Sequence, residues 1–229
     1  MKKFINSNSS HILSEFNSTI IKMDSELKNQ LKTGTTILGI VCKDGVVMAG
    51  DRRGTVGNMI YSKSEEKVTQ LNNYLVFSGC GSATEIQKVP QLLKAELKLK
   101  ELKSKTRPSI KQAASLLSNI QVQMSAFLLA GFDEDGKISL YDILGGHLGE
   151  VKDYSASVGS GMPFAVGYLE CSWKKDLTVE QGIELAIESL KSSTQRDEAS
   201  GNGIDIFTIT KNGIKKVVSQ EIQPNFKED

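Results

Sequence analysis

The sequence of 229 residues has few of the side chains on which many enzyme and binding classes depend. Its three cysteines, Cys42, Cys80 and Cys171, are far apart and odd in number, unlike a disulfide framework or a zinc site. We therefore expect reduced, buried thiols in a cytosolic protein. The two histidines, His11 and His147, have no partner at metal-ligand spacing. The sequence therefore offers few of the residues that a metal enzyme or a Ser-His-Asp hydrolase needs.

Strong charge of one sign and long apolar runs are also lacking. The net charge is +1 at pH 7, so no overall field attracts nucleic acid or an anionic membrane. No apolar run approaches the roughly 20 residues that span a bilayer. Lys2 and Lys3 precede no continuous apolar region, so the start of the chain does not fit a secretory signal. We expect a cytoplasmic protein with no nucleic-acid partner and no membrane contact.

Residues 1–34 differ in composition from the rest of the chain. Serine and asparagine crowd its beginning, and apolar residues then recur at helical spacing from Leu13 to Leu31. This spacing favours an amphipathic helix with an apolar stripe, and the polar flanks leave a disordered tail as the alternative. The remaining residues show no repeat and no linker, which is typical of one domain of ordinary size.

From Thr35 onward, pairs of strand-like segments alternate with pairs of helical segments. The predicted strands are 35–41, 46–50, 67–71, 74–78, 126–132, 138–144, 205–210 and 214–218. The predicted helices are 83–103, 109–124, 162–173 and 178–194. Helix pairs between antiparallel hairpins do not fit a doubly wound parallel sheet. We predict an α+β fold, a four-layer αββα sandwich of two antiparallel sheets flanked by helix pairs.

A polar Gly-Thr-Thr junction at residues 34–36 opens the first predicted strand. A threonine hydroxyl is a weak nucleophile without a base. The α-amino group of Thr35, with a reference pKa of about 7.7–8.0, can be that base only if the chain is cut before it. Asp51, Arg53 and Lys67 can reach the same end of the sheet, where a cation favours the neutral amine. Taken singly, these residues also fit ordinary strand-end ion pairs.

Seven short motifs are distributed over residues 35–218. They are Thr35-Thr36, Lys43-Asp44-Gly45, AGDRRGTVGNMI (49–60), EEKV (65–68), SGCGSA (78–83), GSGMPFAVGYLE (159–170) and QRDEASGNGIDI (195–206). In order and spacing the set resembles proteasome β subunits of the archaeal and bacterial type, which are threonine proteases of the N-terminal nucleophile hydrolase group. The resemblance implies the same αββα fold, a propeptide at residues 1–34 and a catalytic domain at residues 35–229.

The resemblance also implies roles for individual residues. Gly34 and Thr35 form the autocatalytic cleavage junction, and Thr35 is the nucleophile. Asp51 and Lys67 pair beside it, and Arg53 supports them. The resemblance places Ser160, Asp197 and Ser200 around the free amine. It places Gly79 at the oxyanion hole. In the substrate pocket it places Gly54, Thr55, Glu65, Thr69 and Phe77.

Two pocket residues carry expectations about the substrate. Phe77 is expected to make the pocket shallow, and Glu65 to favour a basic or polar side chain unless its carboxylate merely faces solvent. The implied reaction is hydrolysis of peptide bonds in unfolded proteins through an acyl ester on Thr35. No metal or organic cofactor is implied.

The implied partners are other subunits of a large assembly. They are identical or related β subunits in a seven-membered ring, a proteasome α-subunit ring, and an ATPase or other activator. Two alternatives remain. A two-ring bacterial ATP-dependent threonine protease of the same fold usually lacks a long propeptide and the RDEASG segment. A catalytically silent β-type scaffold subunit usually loses the threonine, the lysine or the preceding glycine, all of which this chain retains.

Overall fold

The structure, a computed structural model, describes residues 34–221. The helix predicted for residues 13–31 lies outside this range. No helix within 34–221 combines the length and the apolar character that a membrane span requires. In the same range, no group of three or more His, Cys, Asp or Glu side chains is arranged to hold a metal ion.

Residues 34–221 form two five-stranded antiparallel sheets and one separate hairpin. The strands are β1 (Ile37–Cys42), β2 (Gly45–Asp51), β3 (Gly54–Val56), β4 (Met59–Ser62), β5 (Val68–Gln70), β6 (Leu75–Cys80), β7 (Ala126–Phe132), β8 (Ile138–Leu144), β9 (His147–Val151), β10 (Tyr154–Ala156), β11 (Gly203–Thr210) and β12 (Gly213–Glu221). Sheet 1 has the order β10-β1-β2-β11-β12, and sheet 2 has the order β5-β6-β7-β8-β9. The separate hairpin pairs β3 with β4.

The helices of the described range are α1 (Ala83–Ser104), α2 (Ile110–Ser118), α3 (Met162–Ser172) and α4 (Val179–Thr194). The last helix begins with a capping residue, because the Thr178 hydroxyl accepts a hydrogen bond from the backbone N–H of Gln181. The second helix ends at Ser118, six residues before the predicted end. The Glu85 carboxylate accepts hydrogen bonds from the backbone N–H groups of Gln123 and Met124, and so holds this segment against the start of α1.

The fold has four layers, which are two sheets and a helix pair on each outer side. Three clusters of apolar side chains fill the spaces between these layers. Successive strand residues point to opposite faces, so Val47 packs with Leu169 under α3 and α4 while Met48 faces the space between the sheets. In sheet 2, Leu128 faces the same space, and Phe127 packs under α1 and α2. The predicted αββα sandwich is therefore confirmed.

One edge of the sandwich gathers the polar residues of the predicted site. Asp51 ends β2, and its backbone N–H donates to the carbonyl of Thr36 just before β1. Lys67 directly precedes β5 in the other sheet. The loop 157–161 before α3 and the loop 195–202 before β11 reach the same edge through backbone hydrogen bonds to residues 35–37 and 52. The ends of both sheets thus contribute to one site.

Candidate active site

Thr35 lies at the centre of this edge and is only 4% exposed. Its Oγ1 donates a hydrogen bond of 2.5 Å to the carbonyl oxygen of Gly34. The ammonium of Lys67 donates to the same oxygen at 3.2 Å. The backbone N–H of Thr35 donates to Ser160 Oγ at 3.2 Å. A hydroxyl and an ammonium therefore converge on the carbonyl of the peptide bond before Thr35.

The carboxylate of Asp51 holds the parts of the site together. It is fully buried, and its Oδ1 accepts from Lys67 Nζ at 2.6 Å and from the N–H of Thr36 at 2.8 Å. Its Oδ2 accepts from the N–H groups of Arg53 at 3.0 Å and Gly201 at 2.9 Å. Four donors satisfy the charge, which is what a buried carboxylate requires.

Lys67 is buried beside this carboxylate. Burial lowers the pKa of Lys67 below its ordinary value, and the charge of Asp51 opposes that shift. The Ser78 hydroxyl donates to the backbone carbonyl of Lys67 at 2.9 Å and so fixes the lysine against sheet 2. The ammonium is thus held between the carboxylate of Asp51 and the carbonyl oxygen of Gly34.

A chain of hydroxyls and one carboxylate lies behind the Thr35 nitrogen. Ser160 Oγ donates to Asp197 Oδ2 at 2.6 Å, and Ser200 Oγ donates to the same oxygen at 2.5 Å. Each serine hydroxyl has one proton to donate. Ser200 therefore accepts the 2.7 Å hydrogen bond from Thr36 Oγ1, and Ser160 is free to accept from Thr35. The structure brings all three residues predicted around the amine into one network.

Arg53 connects the end of β2 to the loop before β11. Its Nε donates to Asn202 Oδ1 at 2.7 Å, and its Nη1 donates to the backbone carbonyl of Glu198 at 2.6 Å. Gly201 has a positive φ of 151°, and a side chain there would place its Cβ 2.5 Å from the guanidinium. The arginine therefore positions the loop that carries Asp197 and Ser200.

The GSG motif fits the backbone of residues 35 and 36. A Cβ atom on Gly159 would lie 2.0 Å from the carbonyl oxygen of Thr35, and one on Gly161 would lie 1.9 Å from Thr36 Oγ1. Both distances are too short for real atoms, so the loop needs glycine at both positions. The close approach places the hydroxyl of Ser160 beside the Thr35 nitrogen.

A cleft opens beside Thr35, with an empty volume of about 520 Å³ including its mouth. Three of the residues predicted for the substrate pocket, Gly54, Thr55 and Glu65, line it. The hydroxyl of Thr55 also accepts a hydrogen bond from the N–H of Gly34 at 3.2 Å.

Three residues that the sequence assigned to the substrate pocket or the oxyanion hole do not line this cleft. Phe77 is 1% exposed and packs against Phe127 in the layer beneath α1 and α2, with ring centroids 5.3 Å apart. Thr69 lies in β5, outside the lining. Gly79 is buried inside β6 opposite Phe127, and Gly81, two residues later, lines the cleft instead.

Several lining residues lie outside the set predicted from the sequence. Gly81 has a φ of 119°, and a Cβ there would lie 2.0 Å from the carbonyl of Met124, so this turn requires glycine. Tyr61 reaches the cleft through the β3–β4 hairpin. The other missed residues are Glu66, Ala83, Ile86 and Gln87. The second glycine of the SGCGSA motif was a signal for Gly81, whereas Tyr61 depends on a hairpin that was not predicted.

Comparisons with known proteins agree with the motifs. The family described as Proteasome subunit matches residues 31–209. "Proteasome subunit beta 1" of Thermococcus onnurineus is 40% identical over 196 residues, which is 83% of this chain and 95% of the relative. "Proteasome subunit beta" of Nanoarchaeum equitans is 40% identical over 190 residues, 80% and 96% of the two chains. The protein of that name from Methanocella paludicola is 42% identical over 182 residues, 77% and 88%. The chain therefore belongs to the proteasome subunit family, as a β subunit of the archaeal type.

Proposed function

We propose that the chain is a threonine endopeptidase of the proteasome core particle, made as an inactive precursor and activated by cleavage between Gly34 and Thr35. Family membership supports a peptidase. The observation that carries the proposal is the geometry at the Gly34 carbonyl oxygen, which lies 2.5 Å from Thr35 Oγ1 and 3.2 Å from Lys67 Nζ. The hydroxyl and the ammonium are next to the one bond whose cleavage frees the Thr35 amine.

The activation step begins with attack of Thr35 Oγ1 on the carbonyl carbon of Gly34. The Lys67 ammonium stabilises the negative charge that develops on the carbonyl oxygen. The C–N bond then breaks, the acyl group remains on Oγ1 as an ester, and the hydroxyl proton ends on the nitrogen. Water hydrolyses the ester, which releases residues 1–34 with a free carboxylate and leaves Thr35 with a free amine.

Hydrolysis of a substrate uses the same hydroxyl with its own amine as the base. The reference pKa of an α-amine, about 7.7–8.0, suits proton transfer near neutral pH. The hydrogen bond to Ser160, backed by Asp197, orients this nitrogen beside the hydroxyl. We assign the oxyanion donor to the backbone N–H of Gly81, which lines the cleft. The leaving amine takes the proton, and water then cleaves the ester on Thr35.

Membership of this family implies assembly into a proteasome core particle. We extend this to a seven-membered ring of identical or related β subunits stacked on an α-subunit ring in the cytoplasm. An ATPase or other activator supplies unfolded proteins as substrates. The names of the relatives favour this assembly over a two-ring bacterial protease. The intact set of hydroxyl, lysine and carboxylate supports an active subunit over a silent scaffold.

The test compares the full chain with Thr35→Ala in the assembled particle. Wild type is expected to lose residues 1–34 and to hydrolyse a fluorogenic peptide, as measured by intact mass and fluorescence. Thr35→Ala is expected to keep residues 1–34 and to be inactive. Thr106→Ala, an exposed threonine after α1, is the matched control and should behave as wild type. An active Thr35→Ala particle would contradict the proposal.

A further inference from the structure

The cleft beside Thr35 contains an acidic side chain that the cleavage chemistry does not use. Glu65 is half-buried and lines the cleft. Its Oε1 accepts a hydrogen bond of 3.0 Å from the hydroxyl of Tyr61. Burial, together with this hydrogen bond to a carboxylate, raises the pKa of Tyr61, so the phenol stays protonated and donating. Between residues 34 and 221, no lysine or arginine forms an ion pair with Glu65.

The other acid of the cleft is already neutralised. The Glu66 carboxylate accepts from Lys216 Nζ at 2.9 Å. The adjacent Glu65 has only the neutral Tyr61 hydroxyl as a side-chain partner among the described residues. Of the two carboxylates, Glu65 is therefore the one that can attract a cation on a bound ligand.

The two cations of the cleft are also engaged elsewhere. Lys67 is paired with Asp51 at 2.6 Å. The guanidinium of Arg53 donates to Asn202 and to the carbonyl of Glu198, both on the loop before β11. Neither cation forms a salt bridge to the carboxylate of Glu65. The charge of Glu65 thus remains available to the cleft.

The surroundings of Glu65 suit a long, mostly aliphatic side chain with a charged end. Gly54 lies directly against Glu65 and Tyr61, because a Cβ on Gly54 would come 2.8 Å from Glu65 Cγ and 2.7 Å from Tyr61 Cε1. The lining that α1 contributes is uncharged and includes Ala83 and Ile86. Lysine and arginine stems pack on such apolar surface while their heads reach a charge.

We propose that Glu65 makes this site prefer peptides with lysine or arginine immediately before the scissile bond. The inference rests on the proposed peptidase function. Thr35 and Glu65 line the same cleft, so we place in it the side chain of the substrate residue whose carbonyl bonds to Thr35 Oγ1. Its charged end meets the Glu65 carboxylate, and an acidic side chain at the same place is repelled.

The experiment uses the assembled, processed particle and three fluorogenic peptides that differ only in arginine, leucine or glutamate before the cut. We expect Glu65→Gln to lower the ratio of kcat/KM for the arginine peptide over the leucine peptide by roughly ten-fold, while the leucine peptide is still cleaved. Glu65→Lys should invert the preference toward the glutamate peptide. Glu184→Gln, the same charge change at an exposed position of α4, is the matched control.

Tyr61→Phe provides a second, milder variant, since it removes only the hydroxyl that holds the carboxylate. It should lower the same ratio by a smaller factor than Glu65→Gln. If both variants leave the ratio unchanged, or lower both peptides equally, the inference about Glu65 is overturned and the peptidase proposal stands. If wild type cleaves none of the three peptides, the proposed function fails and the inference fails with it.

Discussion

The substitution Gly34→Ala is expected to slow removal of residues 1–34 by roughly a hundred-fold. A Cβ on residue 34 would lie 1.9 Å from Ala199 Cβ and 2.4 Å from the Ala199 carbonyl oxygen, whereas ordinary contact begins at 3.4 Å. Residue 34 or the loop at Ala199 must therefore move by about 1.5 Å. The displaced carbonyl is the one that Thr35 and Lys67 contact, and a misplacement of about 1 Å costs on the order of a hundred-fold in rate.

The assay follows the intact mass of newly made chain over time. Gly167→Ala is the matched control, because a Cβ at this position of α3 meets no atom within 4 Å, and it should be processed at the wild-type rate. Adding Ala199→Gly to Gly34→Ala removes the clashing Cβ and leaves the Cα and carbonyl oxygen of residue 199, so it should restore part of the rate. Processing of Gly34→Ala at the wild-type rate would show that the position of the Gly34 carbonyl does not control cleavage.

Three further predictions concern buried groups. Lys67→Ala should abolish peptide hydrolysis even in a chain supplied already starting at Thr35, and retained activity in the fluorescence assay would contradict its role. Burial lowers the pKa of Lys67 below its ordinary value of 10.5. Hydrolysis that needs the ammonium should therefore begin to fall before the pH reaches 10.5. A pH–rate profile that stays flat up to pH 10.5 would count against this. Burial raises the pKa of Cys42 to about 12 and also raises that of Cys80, so mass spectrometry should find neither thiol alkylated at neutral pH until the protein is unfolded.

The layers of the fold were predictable where strands are buried on both faces. The run from Val46 to Gly50 is apolar without interruption, and its turn signal Lys43-Asp44-Gly45 marks the hairpin that the structure contains. The edge strands β9 and β10 were not predicted, because their short sequences mix polar and apolar residues. The end of α2 was misjudged because the distant Glu85 carboxylate, a tertiary contact, binds the backbone at residues 123 and 124.

The part of the site that lies in short polar motifs was predictable from the sequence. Thr35, Asp51 and Lys67 lie at the ends of strands, and the structure brings them together. The resemblance implied Gly79 at the oxyanion hole, and the sequence does not show that β6 continues to Cys80 before the chain turns. Phe77 was assigned to the wrong side of this strand, since a shift of one position in the pleat reverses which face a side chain occupies.

N-terminal sequencing of the chain isolated from the assembled, active particle tests the role of Thr35 most directly. The mature chain is expected to begin at Thr35 and to read Thr-Thr-Ile-Leu-Gly. Activity in a particle whose chains keep any residue before Thr35 would contradict it, because the amine that serves as the base would then be held in a peptide bond.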